Sequence, residues 1–215
     1  MEKRTIERYN KRAILLHWVH VAAFVVLVLT GAAMFLPGVG PSGGYSTGIV
    51  HRVASVAFIA SPVMYAIYQP GSILHFCKET FSWNKDDLKW FRAAPAYYFG
   101  GSEDNMPAQG RINTGQKMWQ LVIFGTGMVF LITGAIMWFF KSALALDTYQ
   151  WILFIHGIAF IIVFVMFLVH IYMGLLHPRM NESLRSMLDG KISPSYARSH
   201  YRKWYDRATD VQPDE

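Results

Sequence analysis

Five histidines stand where an imidazole would do chemistry: His17, His20, His51, His156 and His170. Two of them, His156 and His170, interrupt the apolar run from Trp151 to His177 and lie 14 residues apart. At about 100° per residue those steps close to within about 40° of four full turns, so both rings leave one face of one helix, roughly 21 Å apart along its axis. That separation is most of a hydrocarbon core of about 30 Å, so one helix offers an imidazole near each side of a membrane. Ionisable groups inside a membrane span are costly and mark function by default. An isolated histidine of this kind is satisfied by a hydrogen bond to a neighbouring helix. A shared face at this spacing points instead to ligand sites. Two imidazoles facing each other across a bundle suit axial ligation of a b-type haem, and a closed iron carries electrons instead of binding oxygen.

The ligands need elements to hold them. The chain has 215 residues, 53% hydrophobic and only 16% charged, well below the usual quarter. Four apolar runs are long enough to cross a bilayer, at about Ile14–Leu36, Ile49–Gln69, Lys117–Phe140 and Gln150–Leu176. The fold class is therefore all-α, a four-helix integral membrane bundle, read as a single domain over residues 1–215. A loop follows at 70–116, and a polar tail runs from 178 to 215. Eighteen of the 20 Lys and Arg residues lie before the first run, between the second and third, or after the fourth. Only Arg52 and Lys141 fall on the other side, so both termini and the long loop are expected in the cytoplasm. The net charge of +6 is thus explained by topology and lipid headgroups, not by nucleic acid. The first run is longer than a signal-peptide core and Gly31-Ala32-Ala33 is a poor cleavage site, so it is read as a span. The lone Cys77 excludes an internal disulfide, a Cys-rich iron–sulfur motif and covalent haem attachment.

Topology then sorts the histidines by depth. His51 and His156 fall near the external side. His170 falls near the cytoplasmic side together with His17 and His20, which are one turn apart, so that either is a candidate partner. Zinc wants three or four close protein ligands and di-iron bundles want Glu-x-x-His motifs. No Asp or Glu occupies the centre of a span, so both rivals lack ligands. A transporter is disfavoured on the same ground and by the lack of an internal repeat. Arg52 reads as an interfacial anchor or as a partner for a haem propionate. Before the third span, Asn113, Gly115 and Gln116 set two amides around a glycine at the membrane edge, where they can donate to a carbonyl ligand. The same residues also read as a helix cap with Asn113 or Thr114 as N-cap, and spacing alone favours the cap. Asp86–Phe91 and Ser183–Leu188 are expected to form short helices. Pro37–Gly48 is expected to be a loop, Met1–Arg12 a polar lead-in, and Ala208–Glu215 a frayed end.

One ordered set of fragments resembles a known family. It comprises His17-Trp18 with Thr30-Gly31, His51, Asn113-Thr114-Gly115-Gln116-Lys117-Met118, Ile132-Thr133-Gly134-Ala135-Ile136-Met137-Trp138, His156, His170 with Ile171-Tyr172-Met173, Gly190-Lys191-Ile192-Ser193, His200 and Trp204-Tyr205. Together they resemble the gamma subunit of membrane-bound formate dehydrogenase, a four-helix di-haem cytochrome b, over nearly the whole chain. The resemblance implies two haem b groups, one on His51 and His156 and one on His17 and His170, with His20 an additional residue and the alternative ligand. It implies a quinone site at Asn113, Gly115 and Gln116 beside His170, reversing the preference for a simple cap. It also implies a bacterial inner-membrane subunit, bound to an iron–sulfur (beta) subunit and through it to a molybdenum or tungsten catalytic (alpha) subunit. Such a subunit passes electrons from outside, through two b haems, to menaquinone or ubiquinone, and performs no formate chemistry itself. The tail departs from the family pattern at Pro194-Ser195-Tyr196. The same wire would serve a hydrogenase or a thiosulfate/polysulfide reductase. A haem-free anchor would use the histidines only for interhelical bonds.

Overall fold

The computed structural model describes residues 5–35, 44–102 and 105–210. Four long helices correspond to the apolar runs: α1 (Lys11–Phe35), α2 (Gly44–Tyr68), α5 (Thr114–Phe139) and α6 (Leu146–Ile171). Between α2 and α5 lie α3 (Pro70–Phe81) and α4 (Lys85–Tyr98), and the tail carries α7 (Asn181–Asp189), α8 (Pro194–His200) and α9 (Arg202–Asp210). Two short strands, β1 (Ile6–Glu7) and β2 (Lys191–Ile192), pair antiparallel with Ile6 opposite Ile192.

The contacts divide into two compact units. One comprises Leu15–Ile73 and Leu121–Val169 and contains most of the four long helices. Its packing is inside-out by the standards of a water-soluble domain. Large apolar side chains face outward, with Leu29, Val53, Ile67 and Phe154 all more than half exposed. Among the described residues, most buried positions are small, including Ala23, Ala54, Thr126, Thr133, Gly157 and Ala159, with Val163 the largest. A solvent-facing surface of this kind would be an uninterrupted apolar patch. Against lipid tails it is the expected exterior, with small residues letting the helices approach. Four helices of 23 to 31 residues meet the length and apolarity needed to cross a bilayer. This is a multi-pass membrane protein.

The other unit comprises Met1–Ile14, Leu74–Gln120 and His170–Glu215, and it is built by polar groups as much as by apolar ones. The strand pair joins the N-terminal segment to the tail. Its core is Ile192, Tyr196, Ala197 and Tyr201, with Ile6, Trp204 and Tyr205 packed against it. Gly190 ends α7 in the left-handed region at φ 83° and its carbonyl accepts from the N–H of Arg8 at 2.7 Å. A side chain at Gly190 would also collide with the Tyr9 carbonyl, so glycine is required there twice over.

Several local expectations change. The helix read at Asp86–Phe91 extends over Lys85–Tyr98, because Asn84 caps it. The Asn84 Oδ1 accepts from Asp86 N and the Asn84 N–H donates to Asp87 Oδ2, both at 2.9 Å. A second helix, α3, precedes it with Pro70 at its first position, where a missing N–H costs nothing. Of the loop Pro37–Gly48, residues 37–43 lie outside the described residues, while Gly44–Gly48 already belong to α2. Of the lead-in, Met1–Arg4 lie outside them, and Ile6–Glu7 form β1. Ala208–Asp210 complete α9, and residues 211–215 lie outside the description. The fourth span runs on from α6 into a single π-helical turn, Tyr172–Leu176, which begins two residues after His170. Such turns are rare and recur at functional sites.

Candidate haem and quinone sites

Thr30 and Thr133 define how two of the histidines are held. Thr30 Oγ1 donates to the Val26 carbonyl of its own helix at 2.7 Å, and Thr133 Oγ1 donates to that of Val129 at 2.6 Å. A hydroxyl has one proton, so each threonine has only lone pairs left. His51 Nδ1 lies 2.8 Å from Thr30 Oγ1 and His156 Nδ1 lies 2.8 Å from Thr133 Oγ1. In both contacts the ring Nδ1–H must therefore donate. That fixes the tautomer and leaves Nε2 as the ring nitrogen with a free lone pair, the atom that could ligate a metal. The two rings have centroids 6.5 Å apart at an interplanar angle of 57°. A nitrogen–metal distance of about 2.0–2.1 Å places two axial imidazoles on one metal with centroids roughly 6 Å apart. The pair fits a bis-histidine site.

Each threonine is followed by a glycine that lies beside the ring. A Cβ at Gly31 would come within 3.7 Å of His51 Cε1, and one at Gly134 within 3.9 Å of His156 Cε1. The device is thus used twice, Thr30-Gly31 on α1 for His51 of α2 and Thr133-Gly134 on α5 for His156 of α6. Phe130 packs on His156 with ring centroids 4.8 Å apart. Among the described residues no three His, Cys, Asp or Glu side chains converge, so the donor set is two imidazoles.

The remaining histidines are placed as follows. His17 makes an edge contact with Trp18, centroid to centroid 5.5 Å. His20 packs on Phe58 at 4.7 Å, and its Nδ1 lies 3.2 Å from both the Leu16 carbonyl and Ser61 Oγ. A carbonyl only accepts, so His20 Nδ1 is also protonated. His170 stacks flat on Trp119, 4.6 Å between centroids and 10° between planes. Arg52 lies over the Trp138 ring at 5.5 Å, the posture of an interfacial cation–π contact.

The amides before α5 form a reciprocal cap. The Asn113 N–H donates to Gln116 Oε1 and the Gln116 N–H donates to Asn113 Oδ1, both at 2.9 Å. Because both oxygens are used, both side-chain NH2 groups point away from the cap. Gly115 lies under Trp90 of α4, whose Cη2 would be 3.1 Å from a Cβ there. The indole position depends on α4 being docked, and a buried ion pair docks it. Lys117 Nζ donates to Asp87 Oδ1 at 2.9 Å, to Oδ2 at 3.0 Å and to the Ser82 carbonyl at 2.8 Å. Thr114 Oγ1 donates to Asp87 Oδ1 at 2.7 Å. Burial by itself would raise the Asp87 carboxyl, but Lys117, Thr114 and the Asn84 N–H together hold it below the usual carboxylate range.

Thr133, Trp90, Asp87 and Trp119 have no role in the sequence reading, and Thr30 only that of a small residue for helix packing. The dipeptide Thr-Gly also occurs at Thr126-Gly127 in the third span, so it does not by itself single out the two threonines that meet histidines.

A lipid-facing four-helix bundle with two imidazoles presented across it at ligating distance has the architecture of a membrane cytochrome b. The chain belongs to the prokaryotic cytochrome b561 family, whose sequence model matches residues 8–190. It is 28% identical over 197 residues to the cytochrome b556(Fdn) subunit of the nitrate-inducible formate dehydrogenase of Escherichia coli K12, covering 88% of this chain and 85% of that one. It is 24% identical over 216 residues to the cytochrome b556(fdo) subunit of formate dehydrogenase from the same strain, covering 95% and 94%. The formate dehydrogenase cytochrome b556 subunit of Haemophilus influenzae is 24% identical over 208 residues, covering 93% and 82%.

Proposed function

We propose that this chain is the di-haem cytochrome b subunit of a membrane-bound formate dehydrogenase, accepting electrons from an iron–sulfur subunit outside and delivering them to quinone near the cytoplasmic side of the inner membrane. The reading is supported by the names of the relatives and carried by one observation. His51 and His156 stand on two helices with ring centroids 6.5 Å apart, each ring held at Nδ1 by its own threonine. Bound there, haem b supplies one-electron chemistry, with its potential set by the ligands, their hydrogen bonds and the surrounding dielectric. His51 and His156 hold one group, and His17 and His170 are assigned the other. Thr30 and Thr133 keep the first two rings in the ligating tautomer. The amides of Asn113 and Gln116 donate to a quinone carbonyl, with His170 and Trp119 beside them. Arg52 is assigned to a propionate or to the partner interface. A molybdenum or tungsten subunit, bound through the iron–sulfur subunit, carries the formate chemistry, and menaquinone or ubiquinone is the acceptor.

The test is haem stoichiometry by pyridine haemochrome, with reduced-minus-oxidised spectra, on the purified full chain. Two b haems per chain are expected, with one lost in each of His51→Ala, His156→Ala, His17→Ala and His170→Ala. His51→Ala and His156→Ala should lose the same spectral component. A folded preparation without haem refutes the conduit and leaves only an anchor. Loss in His20→Ala in place of His17→Ala reassigns the second pair.

A further inference from the structure

Arg8 is 5% exposed, and among the described residues no carboxylate lies against it. Its guanidinium sits 3.7 Å from the centroid of the Tyr201 ring. Nη1 donates to Ser183 Oγ at 3.3 Å and Nη2 to the Arg111 carbonyl at 2.7 Å, while Nε has no hydrogen-bond partner. A desolvated cation held by neutral groups is a costly arrangement. It is unlike the other buried cation of this unit, Lys117, which has Asp87. A tie between the N-terminal strand and the tail needs no charge, since the strand pair and the Gly190 turn already make that tie.

The charge is placed against the amide cap. Arg8 Nη2 also comes 3.5 Å from Gln116 Oε1, the oxygen that accepts from the Asn113 N–H. At that separation the attraction is between a charge and a dipole more than a strong hydrogen bond. Its direction is unambiguous, because a buried positive charge draws the amide oxygen toward itself and turns the NH2 away. The Asn113 N–H sets the same orientation from the cap, and the buried charge of Arg8 adds to it from the other side. We propose that Arg8 is a positioning residue of the quinone site, holding Gln116 so that an N–H donor, never the oxygen, faces the ligand. The consequence is chemical selectivity. A site lined by the NH2 groups of Gln116 and Asn113 recognises the carbonyl acceptors of an oxidised quinone, and it offers no acceptor to the hydroxyls of the reduced form, which favours release of the product. The inference rests on the assignment of Asn113 and Gln116 to quinone.

The test measures binding of menadione and of a short-chain ubiquinone to the haem-loaded full chain by quenching of tryptophan fluorescence. Arg8→Gln and Gln116→Ala are each expected to weaken binding about tenfold, the equivalent of one good hydrogen bond. The double variant should bind within about twofold of Gln116→Ala alone, because Arg8 acts through Gln116. A purely structural role would make the two losses multiply. Ser183→Ala, which removes an Arg8 contact remote from the amide, should leave binding unchanged. Arg8→Lys keeps the charge without the planar fork and should lose about threefold; it decides the matter if Arg8→Gln does not accumulate as folded protein. Wild-type affinity in the Arg8 variants, or multiplying losses, overturns the inference while the quinone site stands. Wild-type affinity in Gln116→Ala overturns the quinone assignment itself, and this inference with it.

Discussion

Replacing Thr30 or Thr133 by valine is the sharpest probe of the histidine pair. Valine keeps the shape of threonine and exchanges the hydroxyl for a methyl. Each hydroxyl accepts from a ring Nδ1–H at 2.8 Å, so each exchange leaves one buried donor without its acceptor. That costs about 1–3 kcal/mol, and about 1.4 kcal/mol is tenfold in an equilibrium constant. Haem affinity should therefore fall roughly 10- to 100-fold, the range typical for removing the hydrogen-bond partner of a metal-bound histidine. Thr126→Val is the control, because Thr126 Oγ1 donates to the Val122 carbonyl at 2.6 Å and serves no histidine. The assay is the rate of haem transfer from detergent-purified protein to excess apomyoglobin, followed in the Soret band, with a parallel redox titration. Because His51 and His156 face one another, Thr30→Val and Thr133→Val should labilise the same haem component. The reasoning is refuted if either variant loses haem no faster than Thr126→Val, or if the two act on different components.

Three further outcomes follow from the polar unit. Asp87→Ala strands the Lys117 ammonium, whose side chain is 10% exposed, and should destabilise this unit by about 3–5 kcal/mol. Asp87→Leu with Lys117→Met should cost much less, and comparable costs in the two would argue against a buried pair; protease resistance of the 70–116 segment reports both. Since the Asp87 carboxyl is held down in the fold, its stabilising contribution is complete above the unfolded carboxyl value of about 4 and is lost as pH falls through the lower folded value. A melting profile should accordingly decline below about pH 4, and that acid-sensitive component should be absent from Asp87→Asn. Gly115→Val drives a branched side chain into Trp90. The expected overpacking of about 1–3 kcal/mol should shift tryptophan emission and weaken quinone binding without changing haem content; an unchanged emission spectrum would show that Trp90 does not rest there.

The spans were legible because lipid imposes a simple rule, roughly 20 apolar residues with the backbone satisfied internally. His51 and His156 were legible for a related reason: costly residues stand out in such a run. The helices of 70–116, α3 and α4, exceed what the sequence suggests because their signals are short-range and weak in isolation. Asn84 and Asp87 form a capping box only once the chain turns there, and Pro95 within α4 argues locally against a long helix.

The sequence alone therefore determined the class of fold and which histidines stand inside the spans, because hydrophobic length and the cost of burying imidazole act on each segment separately. Only the tertiary structure decided what those residues present to one another. The tautomers of His51 and His156 depend on hydroxyls 21 and 23 positions away, and the Gln116 amide oxygen, set by its local cap, also meets an arginine 108 positions away. Hydrogen bonds are directional and reach about 3 Å, so no pattern along the chain can state them until folding has brought their ends together.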